Sequence, residues 1–409
     1  MDLPRIIANQ QRTFLSLFEQ VRPHLATDSA LPRRIKDLLG RNRAFGSRDR
    51  RLYRELLYTG IRFLPWLEPF LTRDPALAAR LTAWLAPVLK DTRDFRNQLC
   101  ADWPAPAPSL AGKAAQLVEL TGGAFSPETL LPAWFRADCP AAFVPPHLDA
   151  LNERAALWVR LQTAHPQLVL DEFSAKGWLP VESTVLPGAV RLPPNAEVAV
   201  TDSFRRGFCE IQDLGSQLVL LHAAVATGET WLDACAGAGG KTLQLARLVG
   251  AGGRVDATDI RPGMLTELQE RAARAKLDQV QVVRSPARAY DGVLVDAPCS
   301  GTGTWRRMPN MKWYTQPGML DQFAAMQQQI LAANAVHVRP GGLLVYATCS
   351  LSPRENHDVA AAFLDQTPAF VAEPPARTWG GEPDGIGRTL LPGTHDTDGF
   401  YVAVLRRKG

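Results

Sequence analysis

The sequence predicts an α/β protein: a mostly parallel, helix-covered sheet in the carboxyl-terminal half, preceded by a small α+β segment and an all-helical amino-terminal domain. Three observations predict it. Apolar residues recur at helical spacing through the first hundred positions, two proline clusters interrupt the chain, and strand and helix patterns alternate from about Phe208. A length of 409 residues fits two or three domains, and the pattern places them at 1–135, 136–207 and 208–409.

In the helical part, the repeats are Phe14, Leu17, Phe18 and Val21, then Leu52, Leu56, Leu57 and Ile61, then Leu77, Leu81, Trp84 and Leu85. Gly46-Ser47 opens one helix, with Ser47 as its expected N-cap. Alternate prolines from Trp103 to Pro108 remove amide donors and predict a loop, and a helix is expected from Gly112 to Leu120. After the second cluster, Pro140 to Pro146, the runs Leu157–Leu161 and Leu168–Leu170 read as strands and Pro187–Pro194 as connecting loops. From Phe208 the expected strands are Thr230–Ala234, Arg254–Asp259, Gln281–Val283, Gly292–Val295, Gly342–Ala347 and a closing Phe400–Leu405. Helices are expected at Lys241–Val249, Pro262–Lys276, Gly318–His337 and after Pro353. Ligands of such a sheet belong at the carboxyl ends of its strands.

Composition narrows the class. With 46% hydrophobic and 21% charged residues the chain reads as globular. Six scattered cysteines without a Cys-x-x-Cys pair favour a reducing compartment over a disulfide framework or a metal site. The opening Met1-Asp2-Leu3-Pro4-Arg5 lacks the order of a secretory signal and no apolar run approaches bilayer length, so a cytoplasmic protein with no membrane partner is expected. The net charge of +4 says little. Ten basic residues between Arg33 and Arg62, against Asp37, Asp49 and Glu55, read either as a phosphate-binding patch or as a solvated helical face.

The chemistry concentrates at strand ends. Asp233-Ala234-Cys235-Ala236-Gly237-Ala238-Gly239-Gly240-Lys241 is a glycine-rich turn whose amides, opening a helix, suit the carboxylate of S-adenosylmethionine or a nucleotide phosphate. Ala236 stands where a P-loop needs its first glycine, which argues against the phosphate loop. Asp259 ends the next strand, either as a ribose acceptor or as a helix cap. Asp296-Ala297-Pro298-Cys299 and Thr348-Cys349-Ser350 follow at two further strand ends. A thiolate adding at carbon 6 makes cytosine carbon 5 nucleophilic, and a carboxyl such as Asp296 against the base edge stabilises the adduct. Cys100, Cys139 and Cys209 lack such context. Arg306-Arg307 with Lys312-Trp313 suits phosphate contact and base stacking, or is a loop whose Trp313 packs inward.

Together these motifs resemble the Nol/Nop/Sun family of RNA cytosine-5 methyltransferases, whose usual loop is Asp-x-Cys-Ala-Ala-Pro-Gly-Gly-Lys-Thr. Further matches are Pro353-x-Glu355-Asn356, Gly207 with Gln212-Asp213 and Ser216-Gln217, and Asp398-Gly399-Phe400-Tyr401. The helical segment around Gly46–Arg50 resembles the NusB-like domain of the bacterial group acting on small-subunit ribosomal RNA. The resemblance implies a Rossmann-like class I methyltransferase domain with a seven-stranded sheet, an RRM-like RNA-binding subdomain and a NusB-like RNA-binding domain. It implies Cys349 as nucleophile, Cys299 in product release and Asp296 on the base. For S-adenosylmethionine it implies Cys235 to Lys241, Asp259, Ser285 and Asp296, and for RNA it implies Pro298, Arg160, Arg306, Arg307 and Lys312. Three positions depart from the family: Ala238 replaces proline, Arg284-Ser285-Pro286-Ala287-Arg288 replaces a segment often carrying Asp, and Arg160-Leu161-Gln162 replaces Arg-x-Asn. The expected partner is ribosomal RNA, with no metal and a monomeric chain. Transfer-RNA methylation and a non-catalytic assembly role are the alternatives.

Overall fold

The computed structural model describes residues 3–286, 289–377 and 379–409; Met1 and Asp2 of the opening segment, and Ala287 and Arg288 of the 284–288 segment, lie outside the described residues. The fold has two compact units. One is the chain up to Arg154 together with Trp305–Gln316, and the other is Ala155–Thr304 with Pro317–Gly409. The sequence reading divides the chain instead at 135/136 and 207/208.

The first unit is helical, as its periodicity predicts. Helices Leu3–Val21, Leu31–Arg41, Ser47–Arg62, Leu64–Leu71 and Pro75–Leu85 bury Phe14, Phe18, Leu56, Leu57, Trp66, Leu81 and Trp84. The cap of the third helix is Gly46 and not Ser47: Ser47 is already helical, and Asp49 reaches back to accept from the Gly46 amide at 3.1 Å. The 305–316 segment is part of this core. Trp305 is fully buried with its ring 4.7 Å from that of Phe135.

The second unit carries two sheets. The smaller is antiparallel, in the order β2-β3-β1-β4, from β1 (Leu157–Leu161), β2 (Val181–Glu182), β3 (Ala189–Leu192) and β4 (Cys209–Ile211). Two expectations fail here. Leu168–Leu170 lies inside a helix, Pro166–Ala175, because its inward residues are Val169 and Phe173, four apart. The stretch Pro187–Pro194 holds β3, a central strand framed by its prolines.

The larger sheet contains β5 (Thr230–Asp233), β6 (Arg254–Ala257), β7 (Val280–Val282), β8 (Tyr290–Asp296), β9 (Val338–Thr348), β10 (Phe370–Ala372), β11 (Glu382–Pro383), β12 (Gly387–Leu390) and β13 (Phe400–Arg407). Among the described residues it has nine strands and not seven, ordered β11-β12-β13-β9-β8-β5-β6-β7, with β10 also paired to β13. The run β7-β6-β5-β8-β9 is parallel, and everything beyond β9 is antiparallel. β13 is therefore interior and does not close the sheet. Both faces are covered: Trp231 and Leu294 pack on one side, while Leu232, Val293 and Val295 pack on the other. From β5 the chain winds outward through β6 and β7, then returns to β8 on the opposite side. That reversal puts a ligand crevice at the carboxyl ends of β5 and β8.

Candidate active site

Parallel pairing of β8 with β9 sets Asp296 opposite Ala347, so the loops after both strands leave the sheet side by side. Cys299 and Cys349 meet there, with their sulfurs 3.2 Å apart. Contact with the Cys349 sulfur, followed by burial, holds the Cys299 thiol well above its ordinary pKa. The two loops are stapled by Glu355, which is fully buried. Its carboxylate accepts from the Ser300 amide at 2.8 Å, from Ser350 Oγ at 2.6 Å, from Gln327 Nε2 at 3.2 Å and from Ser300 Oγ. Burial raises the Glu355 pKa. Asn356 completes the staple, accepting from Thr348 Oγ1 at 2.6 Å and donating to the Ser350 carbonyl at 3.0 Å. Gly303 passes the Cys349 carbonyl and Gly399 so closely that a Cβ would stand 2.3 Å from the Gly399 oxygen.

The glycine turn follows β5. Gly239, at φ 88°, precedes the helix Gly240–Val249, whose first-turn amides have no intrahelical acceptor. The turn is shaped by the Ala236 amide on the Thr258 carbonyl (3.0 Å) and the Gly237 amide on Asp259 Oδ2 (2.9 Å). Asp259 also accepts from the Arg261 amide and guanidinium, both at 2.9 Å, but the helix at Pro262 receives no side-chain cap, so the capping reading fails. Beside Asp259, Ile260 is 95% exposed, a bare aliphatic surface suited to a flat heterocycle. Orphan amides, a carboxylate and an apolar platform along one strand-end row fit S-adenosylmethionine. Lys241 lies in this turn, but its side chain crosses to Asp296: Nζ is 2.8 Å from Asp296 Oδ2 and 5.1 Å from the Phe400 ring centre. Asp233, buried at the end of β5, has its pKa pushed up to about 7 by desolvation and accepts from Thr242 Oγ1 at 2.7 Å. Burial likewise pushes the Cys235 thiol up to about 12.

Of the residues expected at the site, the structure gathers Cys299, Cys349, Asp296 and Lys241, with Cys235, Ala236, Gly237, Ala238, Gly239, Gly240 and Asp259 on the neighbouring strand ends. Pro298, Ser285 and Arg307 are exposed. Three RNA contacts are corrected. Lys312 is 1% exposed, and its Nζ donates to the carbonyls of Arg62 (2.9 Å) and Leu130 (3.0 Å) and to Asn152 Oδ1 (2.8 Å). Arg306 is 1% exposed, and its carbonyl accepts from Arg62. Arg160 turns inward, with Nε on Gln212 Oε1 at 2.8 Å, and burial lowers its pKa to about 10. Trp313 donates to the Ile61 carbonyl at 2.8 Å, so its packing reading holds. Glu355, Ile260 and the side-chain role of Lys241 escaped the sequence. The only signal was the Pro353-x-Glu355-Asn356 spacing.

Among the described residues, no group of His, Cys, Asp or Glu is arranged to hold a metal and no helix is long and apolar enough to cross a membrane. Sheet topology and strand-end site are those of a class I methyltransferase-like fold with a helical amino-terminal region. Solved structures share it: PH0851, at TM-score 0.73 and 21% identity over 97% of this chain and 99% of that one, and NSun6 from Pyrococcus horikoshii, at TM-score 0.61 and 17% identity over 68% and 97%. Residues 220–406 match the family described as 16S rRNA methyltransferase RsmB/F. Relatives include ribosomal RNA small subunit methyltransferase B of Vibrio vulnificus, 35% identical over 63% of this chain and 61% of that protein. The Escherichia fergusonii protein of the same name is 34% identical over 64% and 62%. The matched region therefore spans about three fifths of these relatives' length.

Proposed function

We propose that the chain is an S-adenosylmethionine-dependent RNA cytosine-5 methyltransferase acting on small-subunit ribosomal RNA in the cytoplasm. The observation that carries this reading is the pair of sulfurs 3.2 Å apart beside Asp296, one strand from the glycine turn. The names of the relatives support the choice of RNA.

The turn from Cys235 to Lys241, with Asp259 and Ile260, would hold S-adenosylmethionine, which supplies an electrophilic methyl group. An extruded cytosine reaches the thiols. With the two sulfurs 3.2 Å apart, the Cys299 side chain lies within contact of the attacking sulfur. Cys349 forms a sulfur–carbon bond at carbon 6 and pushes the ring electrons to carbon 5, where the methyl group is taken up. Asp296, held by Lys241, binds the base edge near N3 and the amino group. Loss of the carbon 5 proton expels the Cys349 sulfur and restores the ring, with Cys299 assisting release. Ser285 completes the cofactor side, and Pro298 and Arg307 line the RNA path.

RNA binding falls to the small sheet and the helical domain, through residue 135, with the chain acting as a monomer. Between the helices Leu31–Arg41 and Ser47–Arg62 lies a groove of about 720 Å³ edged by Lys36, Arg41, Arg50 and Arg54. These four cations are exposed and make no ion pair among the described residues, so phosphates can claim them. The test is tritium transfer from labelled S-adenosylmethionine to transcribed small-subunit RNA. Cys349→Ala is expected to abolish transfer, and Cys299→Ala to accumulate a covalent RNA adduct. Full activity in Cys349→Ala defeats the mechanism.

A further inference from the structure

The methyl-donor turn is braced by the small sheet. Ala238 stands where the resembling family carries proline, so the main chain there lacks the φ restraint of a pyrrolidine ring. In its place, both ends of the Ala238–Gly239 peptide are tied. The Gly239 amide donates to the Ala236 carbonyl at 2.9 Å, and Arg271 Nη1 donates to the Ala238 carbonyl at 2.6 Å. Arg271 belongs to the helix Pro262–Arg274 and is itself anchored, with Nη2 3.0 Å from Glu210 Oε2. Arg274 donates to the other Glu210 oxygen while its guanidinium lies 4.1 Å over the Phe204 ring. Glu210 sits on β4 of the small sheet, is 1% exposed, and has both oxygens engaged by guanidinium groups. Two charge-assisted contacts in series thus run from the small sheet to a single carbonyl of the glycine turn.

We propose that Glu210 and Arg271 are positioning residues that hold the methyl-donor turn in its binding shape, making the small sheet a determinant of cofactor affinity. This rests on the methyltransferase reading above. Neither residue touches the reacting atoms; both act through the Ala238–Gly239 peptide, which orients the first-turn amides.

The experiment is calorimetric titration of S-adenosylmethionine into the full chain. Arg271→Ala is expected to raise Kd about tenfold, or about 1.4 kcal/mol. Glu210→Gln should raise it less, because Arg271 stays but loses its anchor, and Arg271→Lys should recover part of the affinity with one donor. In steady state, KM for the cofactor rises while kcat at saturating cofactor and KM for RNA hold, a split that a general loss of folding would not produce. In an Ala238→Pro background the ring restrains the turn, so Arg271→Ala should cost less there. Arg271→Ala binding the cofactor as tightly as the unaltered chain overturns the proposal, as does a penalty confined to kcat. An unaltered chain that binds no S-adenosylmethionine overturns the methyltransferase reading itself, a separate outcome.

Discussion

Glu355 shows how much of the sulfur geometry depends on one buried carboxylate. It collects donors from Ser300 and Ser350, each the residue immediately after a cysteine, so a single side chain sets the spacing of both loops. Glu355→Ala strands those donors in a dry interior, at about 1–3 kcal/mol for each unsatisfied group. The expected result is a melting midpoint lowered by roughly 5–10 °C. Glu355→Gln keeps the shape but offers one acceptor oxygen where there were two, so methyl transfer should fall about tenfold while the fold survives. Melting curves and single-turnover rates on the two variants check this, and an unchanged midpoint in Glu355→Ala would refute the staple. At this scale the sequence made placement legible at Cys299, Cys349 and Asp296, which the structure brings together at two neighbouring strand ends. It was silent where a side chain turns away from its motif. Gly240-Lys241 reads as cofactor loop, yet the ammonium crosses to Asp296; Arg306 and Lys312 read as surface cations, yet both are buried, and Lys312 Nζ donates to the carbonyls of Arg62 and Leu130.

Among the elements, the parallel strands were readable because each is buried on both faces and ends in a turn signal. The antiparallel extension was not. β11 has two residues, and of β12 only Leu390 is buried, too little for a period of two to show. That extension is tied down by a histidine. Trp379 Nε1 can only donate, so the His222 Nδ1 it meets at 2.7 Å must accept, and the imidazole is neutral. Burial lowers the His222 pKa to about 4. A folded pKa below the unfolded value of about 6.5 means the unfolded chain takes up protons first, so this contribution is intact above pH 6.5 and is lost as the pH falls toward 4. The loss amounts to about 2 kcal/mol by pH 5. Denaturant titrations at pH 7 and pH 5 should show a smaller acid penalty in His222→Gln than in the unaltered chain; equal penalties would contradict the assignment.

For the molecule as a whole, charge placement matters more than the net +4. Lys36, Arg41, Arg50 and Arg54, without an ion pair among the described residues, line one groove of the helical unit, so RNA affinity should drop steeply with ionic strength. Replacing Arg41, Arg50 and Arg54 together by alanine should lower the slope of log affinity against log salt by roughly two to three. Filter binding across a salt series measures it, and an unaltered slope would exclude the groove from the RNA path.

The helical unit is also discontinuous in sequence, since Trp305–Gln316 completes it from within the span of the second unit. A recombination event cutting the gene near codon 154 would hand a new host a bundle missing Trp305 and the ammonium that satisfies the carbonyls of Arg62 and Leu130. Such a bundle is no portable cassette.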